Sequence, residues 1–281
     1  MEQRKLQVIG SPNYRLDFRG FIDSGDYLHL SVDKTGRIRE LLSRSPLTDR
    51  FEFVEADEAK EEDLLLVHSR GYLLSLRIDP RKVLGYFEIG SNVLEGEDAF
   101  LFTYVNYQLL RPMRYIVSGT IQAGISSLER RVAVNLGGGY HHASSDNGGG
   151  FCVYNDVAVA IRYLQREGLA KKVLIVDLDV HHGDGNARIF KKDQDVFVFS
   201  MHEGDIFPPK KPKSDFDIKL KELTGDDRYM YLLRTHLPVI LDRFKPDVIF
   251  YLAGADVYRG DRSSNLNITR KGILERDVFA A

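Results

Sequence analysis

The chain has a single cysteine, Cys152, so no intramolecular disulfide can form and a reducing, cytoplasmic setting is expected. No apolar run approaches the ~18 residues that a membrane-spanning helix needs, and no membrane partner is expected. The amino-terminal Met1-Glu-Gln-Arg-Lys5 lacks the apolar stretch of a secretory signal. An excess of one charge is also missing. Lys and Arg number 39 against 41 Asp and Glu, a formal net charge of −2, which gives no reason to expect a nucleic-acid partner. The charge runs at 55–63 and 210–213 are mixed or short and read as solvated faces or loop. No Gly/Ser-rich linker, low-complexity tract or internal repeat divides the sequence. With 281 residues and 43% apolar content, one α/β domain over 1–281 is expected.

What is present is concentrated in Val173-Leu-Ile-Val-Asp-Leu-Asp-Val-His-His-Gly-Asp-Gly185. Its apolar first half predicts a strand buried on both faces, which delivers Asp177, Asp179, His181, His182 and Asp184 at its carboxyl end. Alternation sends Asp177, Asp179 and His181 to one side. Unpaired charge on a core-like element is expensive, and a cation would resolve that cost. Short apolar, β-branched runs recur at 6–9, 132–136, 173–178, 196–200 and 248–253, and helix-sized segments at 155–167 and 226–244 separate the later ones. That alternation predicts βαβ crossovers and a mainly parallel sheet. Residues 98–130 also read as helical, with Pro112 interrupting the pattern or separating two helices.

Polar clusters follow the strands: Gly137-Gly-Gly-Tyr-His141-His142, Ser200-Met-His202 and Gly254-Ala-Asp256. Ligands bind at the carboxyl ends of parallel strands, so these clusters predict one shared site. Asp179 and His181 could reach one cation, with Asp256 as a third ligand. Mixed oxygen and nitrogen donors suit Zn²⁺, and three protein ligands leave a position open for water. Zinc lowers the pKa of bound water to roughly 7. The alternative is a buried Asp179–His181 ion pair that supports the sheet. His141 and His142 offer general bases, with Asp177 and Asp184 as orienters through Nδ1–H; alone, the pair could equally be a surface turn. Asn147-Gly-Gly-Gly150-Phe151 lacks the spacing and lysine of a phosphate loop and reads as a flexible rim. Phe151 and Phe207 read as core residues and Cys152 as a buried small residue. His29, His68 and His236 are assigned no chemistry.

With those residues assembled, the chain resembles the zinc-dependent histone deacetylase superfamily over about residues 65–279. The resemblance rests on Gly137-Gly-Gly-Tyr-His-His-Ala143, Gly150-Phe-Cys152 with Asn155-Asp156, and Asp177-Leu-Asp-Val-His-His-Gly-Asp-Gly185. Phe207-Pro208 and Gly254-Ala-Asp256, followed by Gly260-Asp261, complete it. Arg111-Pro-Met-Arg114, Gly119-Thr-Ile121 and the segment 142–152 look most like the class IV branch and its bacterial relatives, whereas His182 and Asp184 look more like class I.

The resemblance implies an arginase/deacetylase-like fold, a three-layer αβα arrangement with a mainly parallel central sheet. It implies that Asp179, His181 and Asp256 hold zinc, and that His142, partnered by Asp184, is the general base and acid. His141, partnered by Asp177, would be the electrostatic helper. A monovalent cation, usually potassium, would sit near Asp177, the backbone of Asp179 and His181, and Ser200. Gly150, Phe151 and Phe207 would line a narrow channel for an acyl-lysine, carried by a protein or replaced by a small acylated amine such as a polyamine.

Two departures bear on these expectations. The family's amino-terminal His-Pro segment has its nearest equivalent in His29-Leu-Ser-Val-Asp33, without proline. Family members also continue past the helix at 272–279 into an apolar strand and a Gly-Gly-Tyr loop, whose tyrosine stabilises the oxyanion. This chain stops at Ala281, so a deacetylase-like domain lacking its last strand is expected. Loss of an oxyanion donor typically costs about 10²–10³ in rate. Two readings stay open: a zinc amidohydrolase, or a chain that binds metal or ligand without efficient turnover. A binuclear manganese hydrolase of the arginase type would need a second set of aspartates and histidines that the chain does not offer.

Overall fold

The computed structural model describes residues 5–18, 33–89 and 98–281; His29 lies outside the described residues. The chain divides into two compact units, Met1–Arg166 and Glu167–Ala281. Every strand pair in both is parallel, which is the α/β class expected from the sequence. Among the described residues no helix is long and apolar enough to cross a membrane.

The first unit runs β1 (Leu6–Gly10), α1 (Lys34–Ser43), β2 (Phe51–Glu55), α2 (Glu61–Leu64), α3 (Arg70–Ile78) and α4 (Pro80–Tyr86). It continues through α5 (Asp98–Val105), α6 (Arg111–Arg130), β3 (Ala133–Asn135) and α7 (Asp156–Arg166). Its sheet has the order β2-β1-β3, with Val8 in register with Phe53 and Val134. Ser69 caps α3 by accepting from the Tyr72 amide, and Asp79 caps α4 by accepting from that of Lys82, with Pro80 in the first turn. These residue types satisfy amides that a helix leaves open at its start.

Pro112 does not break the helical stretch. A π-helical turn, Asn106–Leu110, joins α5 to α6, and Pro112 falls in the first turn of α6. The wider turn accommodates a residue that has no N–H to give. Farther along α6, Gly119 faces Tyr14 so closely that a Cβ would lie 1.7 Å from the phenolic oxygen. That approach lets Tyr14 donate to Asn135 Oδ1 at 2.9 Å.

The second unit runs β4 (Val173–Asp177), α8 (Asp184–Ile189), β5 (Val196–Glu203), β6 (Phe216–Leu220), α9 (Asp226–Phe244), β7 (Val248–Leu252) and α10 (Arg270–Ala280). The sheet order is β6-β5-β4-β7. Every residue of β4 is buried, as its unbroken apolar run predicts. One face of the sheet packs Leu174, Val176, Phe199 and Met201 in a core with Tyr229, Leu233, Leu237 and Ile240. Those four recur at helical spacing along α9, and burying each contributes about 1.5–3 kcal/mol. The core extends to Leu178 and Val180, so the segment that follows β4 is anchored by alternate apolar residues while its polar residues face away.

Candidate metal centre

Past the end of β4, Asp179 and His181 converge with Asp256, which follows β7. His181 Nδ1 lies 3.1 Å from Asp179 Oδ1 and 3.2 Å from Asp256 Oδ2, and all three side chains are about four-fifths buried. Two ligands each about 2.0–2.1 Å from a tetrahedral zinc ion are ~3.3 Å apart, so His181 Nδ1 already stands at nearly the required separation from each carboxylate. Burial works against protonation of His181, but hydrogen bonds and charge from Asp179 and Asp256 outweigh it and lift its pKa to about 9. The Asp256 carboxyl is raised by burial and by the neighbouring Asp179 charge. A site that draws a proton onto an imidazole between two carboxylates is one that favours a cation, and its mixed donors fit zinc.

The backbone around these donors is fixed from several directions. Val180 N donates to Asp256 Oδ1 at 3.1 Å, and His181 N donates to Asp179 Oδ1 at 2.8 Å. A Cβ on Gly254 would lie 2.6 Å from Asp179 Cα and 2.6 Å from Asp256 Oδ1, so only glycine lets the two loops come this close. Fully buried Arg276, on α10, spans both loops. Its Nη1 donates to Leu178 O at 3.2 Å and to Gly254 O at 2.7 Å, while Nε donates to Asp277 Oδ1 at 2.8 Å. Glu203, at the end of β5, donates its amide to Val180 O and holds Asn265 through both carboxylate oxygens. Sequence reasoning missed Arg276 and Glu203, because a charged residue on a late helix or strand end reads as a solvent contact.

Asp177 and Ser200 are paired in register on β4 and β5, and both are fully buried. Asp177 Oδ1 accepts from Asp179 N at 3.2 Å, and Ser200 Oγ lies 2.9 Å from His202 Nδ1. Asp184, in the first turn of α8, is buried and its carboxylate is bound by Arg188. Phe207 is 42% exposed, so it is no core residue, and its ring meets that of His181 edge-on with centroids 6.4 Å apart.

His141 and His142 belong to the first unit. Their Nε2 atoms face each other at 3.1 Å, a contact that requires one to donate and the other to accept. The glycines before them are shaped by Asp156, which is fully buried. Its carboxylate accepts from Gly139 N at 3.1 Å, Tyr140 N at 2.8 Å and Thr120 Oγ1 at 2.6 Å. Burial raises the Asp156 carboxyl, and the three donors oppose that shift. Gly138 has φ of +97°, and a Cβ there would meet Asp156 Oδ2 at 2.4 Å. Asn135 Nδ2 donates to Thr120 Oγ1 at 2.8 Å and links this array to Tyr14.

On the far side of the histidine pair, buried His68 pins the chain. Its Nδ1 donates to Ser144 O at 3.0 Å and its Nε2 accepts from Asn155 N at 3.1 Å, which fixes a neutral tautomer. Burial lowers its pKa to about 4. His68, to which the sequence assigns no chemistry, therefore supports the loop that carries His141 and His142. Gly150 and Phe151 both have positive φ, in a turn closed by reciprocal hydrogen bonds between Gly149 and Cys152. Phe151 lines a cavity of about 490 Å³ in this unit, together with Tyr14, Arg39, Phe87, Gly137 and Tyr140.

Comparison with known proteins places these features in a family. A family model described as the histone deacetylase domain matches residues 29–279, running across both units. Histone deacetylase 2 of Arabidopsis thaliana is 32% identical over 278 residues, 97% of this chain and 69% of that protein. An uncharacterized protein of Picosynechococcus sp. is 48% identical over 161 residues, 57% of this chain and 54% of the relative. The match thus spans about half the length of the latter. The crystal structure of the HDA15 HD domain shares the fold, with a TM-score of 0.74 at 23% identity over 95% of this chain and 78% of that one. The chain belongs to the histone deacetylase family.

Proposed function

We propose that the chain is a zinc-dependent amidohydrolase that removes an acyl group, acetyl foremost, from a lysine side chain or a related amine. The observation that carries this reading is the convergence of Asp179, His181 and Asp256, with donor atoms within 4.8 Å of one another, in a member of the histone deacetylase family. Zinc bound by these three residues would supply Lewis acidity, polarising the amide carbonyl and acidifying water.

The remaining roles fall to the chain itself. His142 takes a proton from water at Nε2 and returns it to the leaving amine. His141 stabilises developing charge with its own Nε2. Asp184 and Asp177 are assigned to orient these imidazoles. A carboxylate on Nδ1 of each ring would set the catalytic tautomer. Asp177 and Ser200, side by side in register, are assigned to a monovalent cation, with potassium the preferred one. Gly150, Phe151 and Phe207 are assigned to the walls that receive the acyl-lysine. The single cysteine suits a reducing cytoplasm.

The test is deacetylation of a fluorogenic acetyl-lysine peptide by chain purified without chelator, alongside metal analysis. Activity that falls about 10²–10⁴-fold in His142→Ala supports the proposal. Protein that carries no zinc, or activity that survives His142→Ala, refutes it.

A further inference from the structure

A second convergence of donors, distinct from Asp179, His181 and Asp256, lies in the same unit. His182, His202 and Asp217 each offer one ligand atom within 4.8 Å of the other two. Both imidazoles are fully buried, and the Asp217 side chain is 18% exposed. His182 Nε2 stands 3.4 Å from Asp217 Oδ1, close to the ~3.3 Å that separates two ligands of a tetrahedral zinc ion.

The rest of each side chain is already committed. Ser200 Oγ lies 2.9 Å from His202 Nδ1 and Ser214 N donates to Asp217 Oδ2 at 3.0 Å. Ser214 Oγ is 3.1 Å from His182 Nε2. These contacts orient the ring of His202 and the carboxylate of Asp217 as outer partners of metal ligands do. Several buried atoms of the cluster make no hydrogen bond: His202 Nε2, His182 Nδ1, and Asp217 Oδ1, whose one contact is the 3.4 Å ion pair with His182 Nε2. A buried polar atom without a hydrogen bond destabilises the fold, and a histidine–carboxylate cluster that holds such atoms calls for a ligand.

We propose that His182, His202 and Asp217 form a second, structural site for a divalent transition-metal ion of the zinc class. Two imidazole nitrogens and one carboxylate oxygen are a donor set for such an ion, with Ser214 or water as a fourth ligand. The ion would tie β6 to β5 and to the segment after β4 that carries His182. No catalytic step is assigned to it.

Zinc uptake by the full chain, measured by chelator competition, tests the proposal. Two equivalents per chain are expected. Asp256→Ala should lose one and keep one, and adding His202→Gln and Asp217→Asn to Asp256→Ala should abolish the other. In the Asp256→Ala chain, added zinc should raise the thermal midpoint, and this rise should vanish in the triple variant. A triple variant that keeps the zinc-free midpoint and far-ultraviolet spectrum of Asp256→Ala shows that it folds. Asp256→Ala chain that binds no zinc overturns the proposal and indicates ordered water in the cluster. Uptake that persists in the folded triple variant overturns it as well. Failure of the catalytic site reads differently: wild type would bind no more zinc than Asp256→Ala.

Discussion

Arg276→Met replaces a fully buried guanidinium with a side chain of similar length that cannot donate. Two main-chain acceptors, Leu178 O and Gly254 O, lose their contacts at 3.2 and 2.7 Å. A hydrogen bond from a charged donor contributes about 1.5–3 kcal/mol, so the second unit should lose about 3–6 kcal/mol. The bond to Asp277 adds little, because that carboxylate is 40% exposed. The two acceptors directly precede Asp179 and Ala255, in the loops that bear Asp179, His181 and Asp256, the proposed zinc ligands. Loosening these loops should weaken zinc binding about 10–100-fold, the usual cost of removing an outer partner. Urea unfolding gives the stability and competition with a chromophoric chelator gives the affinity. Arg276→Lys, which can reach one carbonyl, should recover part of both losses. A folded Arg276→Met chain with unaltered zinc affinity would refute the reasoning and leave Arg276 a packing residue only.

Three further outcomes follow from the geometry. Folded His68 has a pKa of about 4 against 6.5 unfolded, so its stabilisation is complete above pH 6.5 and lost as pH falls toward 4, about 3 kcal/mol in all. His68→Gln should remove that part of the acid sensitivity in urea titrations at stepped pH, and an unchanged slope would count against it. With no metal, His181 keeps its proton up to a pH of about 9, so zinc uptake at pH 7 should release about one proton and tighten as pH rises; calorimetry in buffers of different ionisation enthalpy reads this directly. Gly254→Ala places a methyl group against Asp179 and Asp256 and should weaken zinc binding at least ~10-fold in a chain that still folds.

The cluster of Asp179, His181 and Asp256 is legible in the sequence because its residues directly follow β4 and β7, whose apolar runs give the strands and whose ends mark the cluster. β2 and β6 are not. Phe51-Glu-Phe-Val-Glu55 and Phe216-Asp-Ile-Lys-Leu220 alternate with charge and end their sheet orders, so neither has an unbroken apolar run. The supports of the site are less legible still. Thr120 meets Asp156 across 36 positions, His68 meets Asn155 across 87, and Tyr14 meets Asn135 across 121. Such pairs follow from the packing of whole elements, which local patterns do not encode. Pro112 shows the converse, where a local rule suggests a break and a π-turn absorbs it.

Cys152 is 3% exposed, with its thiol directed at Gly150 O at 3.2 Å, inside the turn that presents Phe151. As the chain's only thiol, it is a built-in clock for that turn. A thiol reagent reacts only with molecules in which the turn has opened, so the labelling rate reports how often it opens, in wild-type protein and without an attached probe. The response of that rate to dilute denaturant separates a small local opening from unfolding of the surrounding unit.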